Sequence, residues 1–418
     1  MRKTPKGLRL HIAIFGRRNA GKSSLLNILT QQNVSIVSDT PGTTTDPVEK
    51  PMELLPIGPV LFIDTAGLDD IGALGKLRVR KSYKAFERAD IILLVTEANK
   101  WGKYEEKVLE EAKKRDTPVL VVLNKVDIFK PDVKVKERLE KRKIPYVKTC
   151  CSLSCSWDTT AEVKREIIKL LPPDWIAQKS ILGDIIGPGD LVILVIPIDK
   201  EAPKGRLILP QQQSIRDILD KKALCLITNE KNLREALINL NIKPKLVITD
   251  SQAFKEVFAT VPSDIPLTSF SILFARFKGD LDELVRGAKK IDELRQGDKI
   301  LICEACTHHP IGDDIGRVKI PRWIKERIGG KIDFDVYTGH DFPEDVKQYK
   351  LIIHCGACTL NRKEMLSRIY EAKKQDIPIT NYGVAIAYLH GELERAIDPF
   401  KRHKYISQIV FDSETSVL

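Results

Sequence analysis

A glycine-rich loop near the N-terminus, GRRNAGKSS at Gly16 to Ser24, constrains the fold of this chain more than any other segment. The loop fits the pattern G-x-x-x-x-G-K-S/T, with the apolar segment LHIAIF before it and the helical pattern SLLNILTQQ after it. In a strand–loop–helix unit of this kind, backbone N–H groups at the helix N-terminus bind phosphate. The sequence therefore predicts a nucleotide-binding α/β domain at the N-terminus.

The residues of this loop have predicted roles in binding a nucleotide. Gly16 and Gly21 let the backbone turn its N–H groups toward the phosphates. Lys22 reaches the β and γ phosphates, the Ser23 hydroxyl completes the pattern and ligates Mg²⁺, and Ser24 follows directly. We therefore expect all of them to bind the cofactor, and Lys22 to take part in catalysis as well.

Two further segments of the same domain follow apolar strands. LFIDTAGL places Asp64 at a strand end, where its carboxylate can hold Mg²⁺ through water, and Gly67 where its N–H can sense a γ-phosphate. VLVVLNKVD ends another apolar strand with Asn124, Lys125 and Asp127. The order of the three motifs along the chain is the one expected of a P-loop domain that hydrolyses a nucleotide.

The motif N-K-x-D at Asn124 to Asp127 resembles the guanine-reading motif of the GTPase superfamily. The resemblance implies that Asp127 accepts hydrogen bonds from the N1–H and the exocyclic amine of guanine, so that the domain is a GTPase and not an ATPase. A further guanine-binding element is expected at Ser152, in the segment Cys151-Ser152-Leu153, where relatives carry a Ser-Ala-Leu-like stretch.

The segment SDTPGTTTDP, residues 38–47, resembles the first switch of the bacterial tRNA-modification and ribosome-assembly GTPases. The resemblance implies that Thr44 is the switch threonine on Mg²⁺, with Thr43 and Thr45 as neighbouring alternatives. Asn19 occupies the position of an asparagine that helps to bind K⁺ at the nucleotide in this subgroup. The alternative is that Asn19 only caps the turn.

The segment after DTAG bears on catalysis. Leu68 stands where many GTPases carry a glutamine that orients the attacking water, and leucine cannot do so. We therefore expect slow intrinsic hydrolysis that K⁺ accelerates, with Lys22, Thr44 and Gly67 as the catalytic residues.

The rest of the chain alternates apolar strands with helical patterns, which predicts parallel sheets. LVILV, CLIT and KLVIT indicate a middle domain that carries no phosphate loop or ligand cluster, so we expect it to mediate interaction or oligomerisation, with Cys225 buried in a strand. KILIC, IDFDVYT, KLIIH and IPITNY predict a second such sheet. The expected fold is thus three α/β domains, an N-terminal P-loop GTPase domain at 1–171 and smaller parallel-sheet domains at 178–267 and 268–418.

Metal-ligating side chains follow two of the predicted strands of the last domain. Cys306 and His308 follow one strand, and His354, Cys355 and Cys358 follow another. Because ligands gather beyond the carboxyl ends of parallel strands, we expect both groups to contribute to one metal site.

The ligand types suit either zinc or an iron–sulfur cluster. Three cysteines would hold three irons of a [4Fe–4S] cluster and leave the fourth iron with an exchangeable ligand. The possible fourth ligands are His308, His354 and Glu304, and the carboxylate would be displaced easily because it suits a soft cluster iron poorly.

A GTPase domain followed by C-x-H, a long spacer and H-C-x-x-C resembles the [FeFe]-hydrogenase maturation GTPase family. GRRNAGKSS, DTAGLDDIGALGKLR, LILPQQQSIRDILD and HCGACTLNR carry this resemblance over essentially the whole chain. It implies a GTPase domain, a dimerisation domain and a cluster-binding domain, with Cys306, Cys355 and Cys358 as cluster ligands.

The same resemblance implies a scaffold that receives a diiron precursor from two radical-SAM maturases and delivers it to apo [FeFe]-hydrogenase. The implied cofactors are GTP or GDP, Mg²⁺, K⁺, the [4Fe–4S] cluster and the diiron precursor, and a homodimer is expected.

An alternative function is a K⁺-dependent nucleic-acid GTPase with a structural zinc site, since the net charge is +11. However, basic and acidic residues alternate along most helical segments and no RNA-binding module is apparent, so nucleic acid is not expected as a partner. No apolar run approaches the ~18 to 20 residues of a membrane span. The eight cysteines do not form the framework of a small secreted protein, which favours a cytoplasmic location.

Overall fold

The computed structural model describes residues 4–30, 48–65, 83–150, 156–172, 175, 180–197, 207–305 and 314–401. The strands are β1 (Leu10–Gly16), β2 (Val48–Leu54), β3 (Gly58–Asp64), β4 (Ile91–Glu97), β5 (Val119–Asn124), β6 (Tyr146–Lys148), β7 (Leu191–Val195), β8 (Leu224–Thr228), β9 (Leu246–Thr249), β10 (Leu267–Ser269), β11 (Lys299–Glu304), β12 (Asp333–Thr338), β13 (Leu351–His354) and β14 (Ile379–Asn381).

The α-helices with defined bounds are α1 (Lys22–Thr30), α2 (Lys103–Lys114), α3 (Val133–Lys141), α4 (Ser156–Lys169), α5 (Leu209–Asp220), α6 (Leu233–Ile238), α7 (Phe254–Thr260), α8 (Phe270–Lys278), α9 (Leu281–Lys289), α10 (Ile320–Ile328), α11 (Arg362–Lys374) and α12 (Tyr382–Leu389). The chain divides into two compact units, 1–178 and 179–418.

The first unit contains a six-stranded sheet in the order β2-β3-β1-β4-β5-β6. Only β2 runs antiparallel, to β3, and the other pairs are parallel. Strands β1 and β4 are mainly apolar and buried along their whole length, because helices cover both faces of a parallel sheet. The carboxyl ends of β1, β3 and β5 therefore meet at one edge, where the predicted nucleotide-binding motifs begin.

The second unit contains two four-stranded sheets, in the orders β10-β9-β7-β8 and β12-β11-β13-β14. Every strand pair in both sheets is parallel, so the predicted α/β class with further parallel sheets is confirmed. One continuous apolar core includes Ile193 of the first sheet, Phe274 of α8 and Ile352 of the second sheet. The division into three domains at the boundaries given above stays a prediction.

One predicted burial is wrong. Cys225 is only half-buried, because β8 is an edge strand whose neighbours Leu224 and Ile227 are about half exposed. Among the residues that the structure describes, no helix is long and apolar enough to cross a membrane.

Candidate functional site

The loop between β1 and α1 has a backbone shape that its sequence makes possible. Asn19 has φ 64° and Gly21 has φ 97°, and asparagine and glycine tolerate this left-handed region best. A Cβ on Gly21 would collide with the amide of Asn124, and a Cβ on Gly16 would collide with the carbonyl of Val95. Close packing thus requires both predicted glycines, and backbone conformation is a second requirement at Gly21.

Lys22 begins α1 directly after this loop, and Asp64 ends the neighbouring strand β3. The Lys22 Nζ donates to the carbonyls of Gly16 and Arg17, at 2.8 and 2.9 Å. Asp64 ends β3 opposite Ile14 of β1, and burial raises its pKa against the opposing effect of Lys22 and Lys50.

The fit of a magnesium nucleotide rests on two observations. The Asp64 Oδ1 atom is buried and has no hydrogen-bond partner among the described residues. Ser23 and Ser24 are exposed in the first turn of α1, where a hydroxyl can reach a ligand. Oxygen ligands of this kind suit Mg²⁺, so Ser23 and, through water, Asp64 would hold the ion.

The guanine-reading motif is joined to the phosphate loop by one amide. Asn124 is buried; its Nδ2 donates to the Ala20 carbonyl at 2.9 Å, and its Oδ1 accepts from the Thr149 hydroxyl at 3.0 Å. Lys125 has φ 61° and its ammonium forms an ion pair with Glu97 at the end of β4, while Asp127 is exposed. Asn124 therefore has a structural role, which leaves Asp127 as the side chain available for a base.

Sequence reasoning missed the residues of helix α2 that bind the phosphate loop. Arg17 makes two hydrogen bonds to the fully buried carboxylate of Glu105, at 2.7 and 2.8 Å, and the Gly16 N–H donates to the Tyr104 hydroxyl at 3.0 Å. Glu105 also accepts from the Gly102 N–H at the start of α2. No motif in the sequence marks this helix, since only the fold brings it to the loop.

Several predicted residues lie outside the described part of the chain. In the first unit these are Thr44 with its alternatives Thr43 and Thr45, Gly67, Leu68 and Ser152, and in the second unit they are Cys306 and His308. Their predicted roles stay predictions.

Two of the predicted cluster thiols lie beyond the carboxyl end of β13. Cys355 Sγ accepts a hydrogen bond from the Ala305 N–H at 3.0 Å, and the Cys355 N–H donates to the Cys303 carbonyl at 2.8 Å. The Thr359 hydroxyl donates to the Ala305 carbonyl at 2.8 Å, which ties the loop that contains Cys358 to the end of β11. Ala305 immediately precedes Cys306 in the sequence.

Cys303, in contrast, is a buried core residue. Burial raises the pKa of its thiol to about 12, which disfavours the thiolate form that binds metals. Half-buried Cys355 and Cys358 differ from it because they stand in a loop at the edge of the sheet.

His354 is fully buried and both of its ring nitrogens are engaged. Nδ1 lies 2.9 Å from the Cys355 carbonyl, and Nε2 lies 2.8 Å from a guanidinium nitrogen of Arg368. Arginine can only donate, so Nε2 accepts and Nδ1 carries the proton. Burial and then Arg368 lower the pKa of His354 to about 3. The structure therefore argues against His354 as the fourth cluster ligand.

A buried network behind His354 fixes Arg368 in turn. Arg368 donates to the Glu364 carboxylate at 3.1 Å and to the Gly339 carbonyl at 2.8 Å. Glu364 also contacts His340 Nδ1 at 2.9 Å. These residues fix the imidazole in its orientation toward the backbone carbonyl of Cys355.

Glu304 is engaged as well. Its carboxylate is 1% exposed and contacts the Arg317 guanidinium at 2.6 and 3.2 Å. Arg317 is held by Asp314, which accepts from its backbone N–H at 2.7 Å. A metal would have to compete with this ion pair for Glu304, whereas the two thiols need no such rearrangement.

The described part of the second unit, which does not include Cys306 and His308, presents no ready-made metal site. Within the described ranges, no group of three or more His, Cys, Asp or Glu side chains could hold a metal ion. The thiol of Cys355, with its N–H donor, fits an iron–sulfur cluster, because hydrogen bonds to the sulfurs are a usual feature of such sites.

Comparisons with known proteins match three parts of the chain. A model of the 50S ribosome-binding GTPase matches residues 11–125. The hydrogen maturase F dimerization domain matches residues 181–279, and the hydrogen maturase F tetramerization domain matches residues 282–399. The N-terminal unit is thus a P-loop GTPase domain.

Curated relatives resemble mainly this GTPase domain. The tRNA modification GTPase MnmE of Picosynechococcus is 40% identical over 29% of this chain and 27% of its own length. GTPase Der of Wolinella succinogenes is 39% identical over 33% of this chain and 30% of its own length. GTPase Era of Caldanaerobacter subterraneus is 29% identical over 50% of this chain and 73% of its own length.

A solved structure of Aquifex aeolicus Era bound to GDP·AlF4⁻ is 23% identical, with a TM-score of 0.34, and covers 52% of this chain and 92% of that one. The chain spans about a quarter of the length of the MnmE relatives, 27% in the first case.

Proposed function

Because the chain belongs to the hydrogen maturase F family, we propose that it is a GTP-hydrolysing scaffold that binds a [4Fe–4S] cluster. In this function it assembles or delivers the diiron precursor of the hydrogenase cofactor. The proposed partners are two radical-SAM maturases and apo [FeFe]-hydrogenase, and the proposed form is a cytoplasmic homodimer.

The hydrogen bond from the Ala305 N–H to Cys355 Sγ is the observation that carries the cluster assignment. It brings the thiol loop that contains Cys358 to the residue that precedes Cys306 in the sequence. Cys306, Cys355 and Cys358 would hold the cluster, which supplies an iron with an exchangeable position for a cargo cluster. With His354 and Glu304 both engaged elsewhere, that position is left to His308 or to an external ligand.

In the GTPase domain, Lys22 would neutralise charge on the β and γ phosphates, and Ser23 with Thr44 would hold Mg²⁺. Gly67 would contact the γ-phosphate, and Asp127 would read the guanine. The absence of a glutamine at Leu68 favours slow turnover, as suits a switch that reports the nucleotide state.

Anaerobic reconstitution tests the cluster assignment. The full chain, incubated with ferrous iron and sulfide and then desalted, is expected to retain both in the ratio of a [4Fe–4S] cluster. After reduction it should give a cubane-type EPR signal, because three cysteines suffice to hold such a cluster. A colourless protein that holds stoichiometric zinc and takes up no iron would overturn the assignment in favour of a structural zinc site.

Potassium dependence tests the role of Asn19. GTP turnover is expected to be faster in K⁺ than in Na⁺ on the order of 10-fold, because a cation at the phosphates stabilises charge that develops in the transition state. Asn19→Gly should lose this difference, since glycine keeps the left-handed backbone and removes only the amide. Phosphate release is measured at constant chloride concentration.

Equal rates in Na⁺ and K⁺ would contradict the proposal and leave Asn19 as a turn residue. A K⁺ effect that survives in Asn19→Gly would place the ion elsewhere.

A further inference from the structure

A buried lysine stands directly behind the cysteine loop. Lys278, the last residue of α8, is 1% exposed, and its Nζ donates to the carbonyls of Ala357, Cys358 and Leu360 at 2.9, 3.0 and 2.7 Å. Lysine is rarely buried, because removing its charge from water is costly unless partners compensate for it. Three acceptors around one nitrogen match the three N–H donors of the protonated amine.

The loop that Lys278 contacts has a shape that needs support. Ala357 has φ 52°, in the left-handed region that residues with a Cβ seldom adopt. This conformation turns neighbouring carbonyls toward the lysine. Only the surrounding structure can maintain such a strained backbone, and Lys278 binds it at the strained residue itself and at two of the residues that follow it.

A second set of hydrogen bonds joins the same two segments, with the donor on the other segment. Arg362, at the start of α11, donates to the carbonyls of Phe277 and Gly279, at 2.9 and 3.0 Å. These carbonyls belong to the end of α8, where a helix leaves acceptors without partners inside the helix. The end of α8 and the segment that includes Cys358 are thus joined twice. Helix α8 lies in the part of the chain matched by the dimerization domain, and the loop lies in the part matched by the tetramerization domain.

Building on the proposed iron–sulfur function, we propose that Lys278 is a positioning residue for the cluster, which fixes the Cys358 loop and places one buried positive charge behind it. The charge matters because the potential of an iron–sulfur cluster depends on hydrogen bonds and charges near its sulfurs. A nearby cation favours the reduced cluster, which carries the more negative charge. Because Lys278 joins α8 to the loop that contains Cys358, a movement of α8 would shift this loop and its thiol.

Lys278→Met and Lys278→Gln separate the two parts of this role. Methionine fills the space up to Cε and removes both the charge and the donors. Glutamine is one atom shorter, keeps two N–H donors and removes the charge. Lys289→Met serves as the matched control, because Lys289 ends the next helix with an exposed side chain. Thermal unfolding identifies any variant that fails to fold. If one Lys278 variant does not fold, the other one tests the proposed role.

We expect Lys278→Met to release iron to a chelator ~10- to 100-fold faster than the wild type, the usual cost of losing a residue behind metal ligands. Both Lys278 variants should have a more negative reduction potential in a redox titration, and Lys278→Gln should release iron more slowly than Lys278→Met. In the metal-free full chain, hydrogen exchange at residues 355–361 should be faster in Lys278→Met and unchanged in Lys289→Met.

Equal exchange, iron release and potential in wild type and Lys278→Met would overturn the role of Lys278 and leave the cluster assignment intact. A wild type that takes up no cluster would overturn the proposed function, and the cluster role of Lys278 with it, even if the exchange of the loop still depended on the lysine.

Discussion

Cys358→Ala protein is expected to hold almost no iron or sulfide after anaerobic reconstitution and to hydrolyse GTP at close to the wild-type rate. Iron affinity should fall by more than the ~10- to 100-fold expected when a residue that supports a ligand is replaced, because here a thiolate bonded to iron is itself removed. Hydrolysis should persist because the phosphate loop lies in the first compact unit, 1–178, and Cys358 lies in the second. Iron and sulfide per chain and phosphate release are measured on the same preparation.

Cys225→Ala is the matched control, since Cys225 is a free, half-buried cysteine on the edge strand β8 of the same unit. It should keep its full iron content. Full iron in Cys358→Ala would remove this residue from the ligand set, and a joint loss of iron and GTP turnover would argue against two independent sites.

Lys22→Ala is expected to lower GTP turnover by ~10²- to 10³-fold, the usual cost of removing one group that stabilises charge in a transition state. Its Nζ lies within 3 Å of two carbonyls of the phosphate loop, at 2.8 and 2.9 Å, so the ammonium is at the position where phosphate charge would be neutralised. The iron content of reconstituted protein should not change. The measurements are single-turnover phosphate release and iron per chain.

Lys103→Ala controls for the loss of a lysine from the same unit, because Lys103 is exposed at the start of α2. Its turnover should equal that of the wild type. Wild-type turnover in Lys22→Ala would mean that the loop does not bind the phosphates as proposed.

Most strands and their parallel pairing followed from the sequence because they are short apolar runs bounded by helical patterns. Strand β2 did not, since VEKPMEL is not an apolar run and pairs antiparallel with β3, and the three residues of β10, Leu267–Ser269, are too few to form a recognisable run. The positions of Asp64, Asn124 and Cys355 at strand ends followed from the same rule, since parallel strands share a carboxyl edge.

The contacts of the site did not follow from the sequence. A lysine at the end of a helix is usually exposed and interacts with the helix dipole. Lys278 is instead buried, and its ammonium donates to the carbonyl of Ala357 in the cysteine loop. The sequence placed His354 among metal ligands because of its neighbours, whereas Arg368 of α11 occupies its Nε2. Such pairs are decided by the packing of helices on the sheet, which spacing along the chain does not encode.

The pairing of β11 with both β12 and β13 has a consequence for the biogenesis of this protein. The Ala305 N–H and the Cys355 thiol are neighbours in space, but the whole β12 crossover separates them in sequence. Contacts between distant segments form late in folding, because the intervening chain must first be ordered. A ribosome would have to synthesise the chain beyond β13 before this juxtaposition could exist, so insertion of the proposed cluster would follow translation through Cys358.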